Sequence, residues 1–206
     1  MNRLLPALLL TVILVAPSLV AADTDGFAFG VGIHSNNVAA DDPPASPPPG
    51  AVYVDEAGGG VNLWIGYGFT PSFALRLLAA GASHGTSDPD VDVAWGGVTV
   101  EAQYLFRNPE RWRPYVAGGV GGYSTSSRQD DLDFEATGGG IVLGGGVLYF
   151  FDDTWAMDLG LRGNFVNWED ATATFKFPDG SSATVERPIE DDGGALDILL
   201  GVSWWL

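Results

Sequence analysis

The sequence contains no cysteine, so neither a disulfide nor a thiolate metal ligand can hold it together. Histidine occurs only twice, at His34 and His84, too few for a histidine-rich metal centre. Basic residues are also scarce. Nine Lys and Arg stand against 26 Asp and Glu in 206 residues, a formal net charge of −17. That deficit excludes nucleic acid as a partner, because holding a phosphate backbone needs clustered Lys and Arg. Beyond the first two dozen residues no apolar run is long enough to cross a bilayer as a helix. What is present is a large apolar share, 46%, and 29 glycines, about twice the ordinary usage. An acidic chain this apolar is not a disordered one. Without covalent staples it must be held by backbone pairing and burial.

The first 22 residues read as a separate segment. Arg3 is their only charge, residues 4–15 form an apolar stretch, and Val20-Ala21-Ala22 places small residues ahead of Asp23. This pattern predicts an export signal over residues 1–22, cleaved to leave 23–206 as a single domain. The alternative, one membrane helix over residues 4–22, is interrupted by Pro6 and Pro17. Cleavage removes Arg3, leaving 8 basic and 26 acidic residues.

The remaining chain alternates with period two, which is the signature of β-strands. Eight strands are predicted near residues 26–35, 58–69, 73–83, 93–106, 114–124, 138–150, 155–168 and 195–206. Their connections alternate in length: 70–72, 107–113 and 151–154 are short, whereas 36–57, 84–92, 125–137 and 169–194 are long. Such asymmetry describes an up-and-down meander. Prolines 43, 44, 47, 48 and 49 bar the first long loop from a central strand. In the last long connection, residues 171–177 alternate Thr with apolar residues and Asp179-Gly180 supplies a hairpin signal before 183–186, so strands seven and eight are expected to project as a ribbon. Gly96-Gly97 suggests a bulge at which strand four switches face. Strand five, with Val116 and Val120 opposite Tyr115 and Tyr123, is too glycine-rich to orient.

The solvent follows from the chemistry of the two faces. A soluble barrel packs bulk inside and shows charge outside, whereas a membrane barrel reverses this. Strand two places Val61, Leu63, Ile65, Tyr67 and Phe69 on one face against Gly60, Asn62, Trp64, Gly66 and Gly68. Strand eight sets Leu196, Ile198, Leu200, Val202, Trp204 and Leu206 against Asp197, Leu199, Gly201, Ser203 and Trp205. In strand seven, Trp155, Met157, Leu159, Leu161 and Phe165 oppose Asp158, Gly160, Arg162 and Asn164. Charge lies opposite the bulk, which predicts an all-β, eight-stranded antiparallel up-and-down transmembrane β-barrel. Phe69, Phe73, Tyr104, Phe106, Trp112, Tyr149, Phe151, Trp155 and Trp204 cluster beside the short turns, as an aromatic girdle at a membrane–water boundary requires.

With these features the chain resembles the small eight-stranded outer-membrane barrels of Gram-negative bacteria, the group that includes the OmpA membrane domain and OmpX. The likeness spans residues 23–206. It rests on strand number, the turn and loop asymmetry, the Arg113-Pro114-Tyr115-Val116 opening of strand five and the alternating last strand. The resemblance implies outer-membrane localisation, a monomer among outer-membrane lipids, and an adhesive or other surface role toward a host or extracellular partner. It also implies that the barrel-assembly machinery reads Leu200, Val202, Trp204 and Leu206, although the family ends in an aromatic residue where this chain has Leu206. No periplasmic peptidoglycan-binding domain is expected after strand eight.

An eight-stranded lumen is just wide enough for side chains to fill. Arg76, Glu101, Gln103, Asp158, Arg162, Asn164, Asp197 and Ser203 are expected to face it. Counting from the turns places Arg76 level with Glu101 and Arg162 level with Asp197, giving two internal ion pairs, with Asp158 close enough to join the lower one. The acid is polarised: 18 of the 26 acidic residues fall in the four long connections. The clusters Asp88/Asp90/Asp92, Asp130/Asp131/Asp133 and Glu190/Asp191/Asp192 have the oxygen chemistry of hard-cation ligands but none of the spacing. Neither a catalytic set nor a cofactor or metal site is assigned. His34-Ser35 and Ser83-His84 are adjacent in strands and so point to opposite faces, unable to form dyads. The leading reading is therefore a non-enzymatic barrel displaying acidic loops. A membrane-embedded lipid-modifying enzyme and a small-conductance pore are the alternatives.

Overall fold

The computed structural model describes residues 24–38, 54–107, 111–129 and 131–206. The export segment, 1–22, and the prolines of the first loop lie outside these. Eight strands follow one another: β1 (Gly26–Val38), β2 (Val54–Thr70), β3 (Phe73–Thr86), β4 (Val91–Leu105), β5 (Trp112–Gln129), β6 (Leu132–Phe150), β7 (Trp155–Lys176) and β8 (Ser182–Trp205). Each pairs antiparallel with its sequence neighbours, and β8 returns to β1 to close the barrel. Closure matters because a strand edge left open in hydrocarbon would expose unpaired N–H and C=O groups at a cost of several kcal/mol each.

The alternation sorts side chains by face. Val31, Ile33, Val61, Leu63, Ile65, Val100, Ile141, Leu161, Phe165, Ile198 and Leu200 all stand on the outer wall, where they are exposed. Such a surface is stable against lipid rather than water. At the tight ends the chain reverses with local polar caps. Thr70 Oγ1 accepts from the Ser72 amide at 3.3 Å in the β2–β3 turn. Asp152 Oδ1 accepts from the amides of Thr154 and Trp155 at 2.8 and 2.7 Å in the β6–β7 turn. Those two amides, Thr154 first, hold the Asp152 carboxyl below its ordinary range.

The structure corrects three sequence expectations. The connection 125–137 is not a loop, because β5 runs to Gln129 and β6 starts at Leu132, whereas the ribbon expected of strands seven and eight is present, with β7 reaching Lys176 and β8 beginning at Ser182. Asp133, Glu135, Glu169, Asp170, Glu186 and Glu190–Asp192 are thus strand residues, on a sheet that continues past the apolar belt. Polar alternation in water reads like a loop, which hid the extension of β5 and β6. Second, β4 has no bulge at Gly96-Gly97, and its register runs unbroken from Phe73↔Tyr104 to His84↔Val93. Among the described residues the irregularities lie at Val54/Gly58, Gly68/Thr70, Thr137/Gly138 and Trp168/Asp170 instead. Third, β5 acquires an orientation: Tyr115 and Tyr123 are buried in the lumen, and Val116 and Val120 face out.

Candidate functional site

Two regions carry chemistry, the lumen and the sheet that projects beyond it. At the short-turn end the lumen is filled by Trp64, Leu78, Leu105, Tyr115, Leu148, Phe150 and Trp205, with Ala28, Ala74 and Ala156 between them. Trp205 lies edge-on to Trp64 at 6.0 Å and tilted to Phe150 at 6.4 Å. Gly30 makes this possible, because a Cβ there would fall 2.4 Å from the Trp64 ring nitrogen. Alternation places Trp64 and Trp205 opposite the apolar wall but does not bring the cluster together. Single bulky residues scattered over several strands converge only once the ring is closed.

Above this cluster lies a charged layer. Arg76 and Glu101 are register partners on β3 and β4, and Arg76 Nε and Nη2 each reach Glu101 Oε2 at 2.8 Å. Both side chains are less than 5% exposed. Asp158 Oδ2 approaches Arg76 Nη1 at 3.9 Å, and Asp158 Oδ1 accepts from the Tyr115 hydroxyl at 2.8 Å. Arg162 departs from the sequence expectation. Although it is the register partner of Asp197, its Nη2 turns across the lumen to Glu101 Oε1 and lies 3.2 Å from Thr99 Oγ1. Thr99 in turn donates to Glu101 Oε1 at 2.7 Å. One carboxylate therefore serves two guanidiniums, one per oxygen.

Asp197, without Arg162, is held by amides. Asn36 Nδ2 donates to its Oδ1, and Asn164 Nδ2 donates to its Oδ2 at 2.8 Å. An ionised carboxylate only accepts, so Asn36 must turn its oxygen the other way, toward His84 Nε2 at 2.9 Å. His84 consequently carries its proton on Nε2. Tyr123 completes this layer by donating to Asn164 Oδ1 at 3.3 Å. His34 is buried nearby, and neither of its ring nitrogens has a hydrogen-bond partner among the described residues. Gln103 and Ser203 also face the lumen and are fully buried. Where the apolar cluster meets the Arg76 layer, a cavity of about 10 Å³, the size of one water, is lined by Asn62, Trp64, Arg76, Tyr115 and Asp158.

Both histidines thus point inward, whereas Ser35 and Ser83 share an outer row with Gly59. No group of three His, Asp or Glu side chains fit to hold a metal occurs among the described residues. The acidic clusters have partners of their own. Asp133 bridges Lys176 at 2.7 Å and Arg128 at 3.2 Å, Asp88 accepts from the Asp90 amide, and Asp192 accepts from Asn167.

The outer wall at the short-turn end is aromatic. Phe27, Tyr67, Phe69 and Phe73 form a continuous run at 5.0, 5.1 and 6.1 Å between rings, and Tyr104 meets Phe106 at 5.2 Å. Trp112, Tyr149 and Phe151 form a second run, and Trp155, Trp204 and Phe29 a third. Leu200 and Val202 continue the outward row of β8 below which Trp204 stacks, while Leu206 donates its amide to Phe27 O at 2.8 Å.

At the other end, β5 to β8 leave the barrel together. β6 pairs with β7 up to Leu132↔Phe175, and β7 with β8 up to Lys176↔Ser182. The tip is a three-residue hairpin loop, residues 178–180, closed by Phe177 and Ser181. Gly180 donates to Phe177 O at 2.9 Å, Phe177 to Ser181 O at 2.9 Å, and Gly180 has φ +83°, the left-handed position such a loop needs. Extra residues at Glu169 on β7 and at Ile189-Glu190 on β8 mark the departure from the wall.

A family described as the outer membrane protein β-barrel domain matches residues 7–186. The chain belongs to this family. No curated protein matches its sequence. Among solved structures, Neisserial surface protein A is 14% identical with a TM-score of 0.62, over 88% of this chain and 98% of that one. The outer membrane protein OprG from Pseudomonas aeruginosa is 14% identical, TM-score 0.54, over 91% and 100%. Ail, the attachment invasion locus protein of Yersinia pestis, is 15% identical, TM-score 0.54, over 87% and 98%. At these identities the structures share a fold, that of the eight-stranded outer-membrane barrel. Membership in the family places the protein in the outer membrane, where its exposed apolar wall meets lipid.

Proposed function

We propose that the protein is a surface-display barrel: a filled, non-enzymatic membrane anchor that holds an acidic sheet outside the cell for contact with a host or other extracellular partner. The observation that carries this reading is the continuation of β5–β8 beyond the apolar wall, with Glu135, Glu169, Asp170, Glu186 and Glu190–Asp192 on the extension. In family geometry short turns face the periplasm and long connections the exterior. The extension then stands outside, and the runs around Phe69, Trp112 and Trp155 form the periplasmic girdle. The charged lumen layer and the apolar cluster beneath it act as a plug, which argues against solute flux. Ail offers a parallel for binding through such a barrel, since it was solved in complex with the heparin analogue sucrose octasulfate. Heparin-like polyanions suit a basic surface, whereas the acidic extension here suits a cationic partner. A hollow of about 850 Å³ on the outer wall, between Val31, Ile33, Val61, Leu63 and Leu200, receives lipid acyl chains. The last strand, through Leu200, Val202, Trp204 and Leu206, is the segment read by the barrel-assembly machinery. Residues 1–22 are removed on export, and the barrel is monomeric.

Surface proteolysis of intact cells, with heat-modifiability on a gel, tests this reading. Cleavage should fall in residues 169–194 or 39–53, in a protein that migrates anomalously until boiled and whose N-terminus is Asp23. A large stable conductance in planar bilayers, or changed membrane lipids in its presence, would replace it with the pore or the enzyme.

A further inference from the structure

On the inward face of β2, Gly60, Trp64, Gly66 and Gly68 are joined by a single amide, Asn62. Asn62 is 7% exposed, and its Nδ2 has no hydrogen-bond partner among the described residues. Its register partners, Gly32 on β1 and Ala80 on β3, bring no polar side chain toward it. Gly32 also keeps the space beside it clear, because a Cβ there would lie 3.2 Å from the same nitrogen. Burying an amide donor without a partner is costly, and a leucine of similar size would carry no such cost. The amide therefore calls for a partner that the described residues do not supply.

The cavity that Asn62 lines limits what that partner can be. Its volume, about 10 Å³, admits one water and nothing larger. Arg76 and Asp158 stand on the same cavity, and the 3.9 Å between Arg76 Nη1 and Asp158 Oδ2 is too long for a direct hydrogen bond. A polar pair held at such a distance is where a bridging water belongs. Tyr115 already donates to the other oxygen, Asp158 Oδ1, at 2.8 Å. One water can accept from Asn62 Nδ2 and Arg76 Nη1 and donate to Asp158 Oδ2, the roughly three hydrogen bonds usual for a buried water. An anion would meet the Asp158 carboxylate, and a cation would meet the Arg76 guanidinium and the Asn62 donor. Water alone suits all three groups, because it both donates and accepts.

We propose that this cavity is the site of one long-lived structural water, which accepts from Asn62 and Arg76, donates to Asp158, and so ties β2 to the charged layer. It does so whatever the barrel displays at its outer end. Bound from β2, β3 and β7 at once, this water is a fixed part of the plug rather than one of a mobile file. The probe is water itself, followed by proton NMR on the full barrel in lipid nanodiscs. A through-space cross-peak is expected between the water resonance and the Asn62 side-chain amide protons, distinguished from chemical exchange by its sign in the rotating frame. A crystal structure of the same barrel should show a single density peak within about 3.2 Å of Asn62 Nδ2, Arg76 Nη1 and Asp158 Oδ2. Asn62→Leu, in a protein whose gel shift remains intact, should lose the density peak and the water contacts of Tyr115 together. Absence of the Asn62 cross-peak in the intact barrel, or a protein group in place of water against Asn62 Nδ2, would overturn the proposal. So would a density peak that survives Asn62→Leu unchanged, because the water would then belong to Arg76 and Asp158 alone. The intact barrel decides the first two outcomes even if Asn62→Leu does not fold.

Discussion

Glu101 is the residue on which the lumen turns. Its two oxygens are divided between Arg76 and Arg162, which come from opposite sides of the ring, and all three are nearly inaccessible. Glu101→Gln removes the charge and leaves two buried guanidiniums facing each other, so the folded barrel should lose about 3 kcal/mol or more. Urea unfolding in liposomes, followed by tryptophan fluorescence, measures this. Asp158→Asn should cost less, because its contact with Arg76 is 3.9 Å and Tyr115 can still donate to the amide oxygen. The Arg76–Glu101 pair was legible in the sequence because neighbouring strands can be counted to a common height. Arg162 escaped the same counting. Across the narrow lumen the long Arg162 side chain on β7 reaches Glu101 on β4, and reach across a ring leaves no mark in linear order. The lone carboxylate this creates, Asp197, is why Asn36 and Asn164 are required, and neither role could be assigned before the chord was seen.

Strand identity in the membrane was written plainly, because lipid on one side and a crowded lumen on the other impose opposite demands on successive residues. Strand length was not. Past the lipid both faces meet water and the alternation softens, so β5 and β6 read as ending early. The Thr and apolar alternation of residues 171–177 with Asp179-Gly180 still marks the ribbon of β7 and β8. Glycine hid the orientation of β5 for a related reason, since a residue without a side chain belongs to neither face. The ribbon formed by β7 and β8 is therefore held by fewer constraints than the wall. Gly180→Val forces an L-residue with a Cβ into φ +83°, at a cost of about 1–2 kcal/mol. Faster amide exchange at residues 175–184, with no change in the gel shift of the barrel, is the expected result. The ribbon also responds to acid. Lys176, through its hydrogen bond and charge, with Arg128 behind it, lowers the Asp133 carboxyl below its ordinary value of 3.8. A depressed folded-state value stabilises above the ordinary one and is lost as the pH falls through the depressed one. Exchange around residues 132–135 and 174–176 should therefore quicken as the pH is taken below about 3.8, and Lys176→Met should shrink that step, leaving the part due to Arg128.

At the scale of the whole molecule, wall and ribbon are nearly independent structures sharing β7 and β8. The β7–β8 pairing from Trp155↔Trp204 to Trp168↔Asp191 lies wholly below the irregularity, and the closing contact of β1 with β8 ends at Ala195. Deleting residues 170–188 should leave a barrel that still migrates anomalously unless boiled, while removing Asp170, Asp179 and Glu186 from its outer end. Loss of the gel shift would mean that the ribbon helps to hold the wall.

The extra residue at Glu169 has a wider consequence. Below it the even-numbered residues of β7 face inward, as Arg162 and Asn164 do, whereas above it Ala171, Ala173 and Phe175 stand in the rows that continue the lumen. That single residue shifts the parity of β7 between wall and ribbon, while β8 keeps its own, Ala183 and Val185 standing on the same side as Ala195 and Asp197. Selection can then lengthen, shorten or replace everything past it without turning one lipid-facing side chain inward, so a lineage can exchange what it shows to its surroundings and inherit its anchor unchanged.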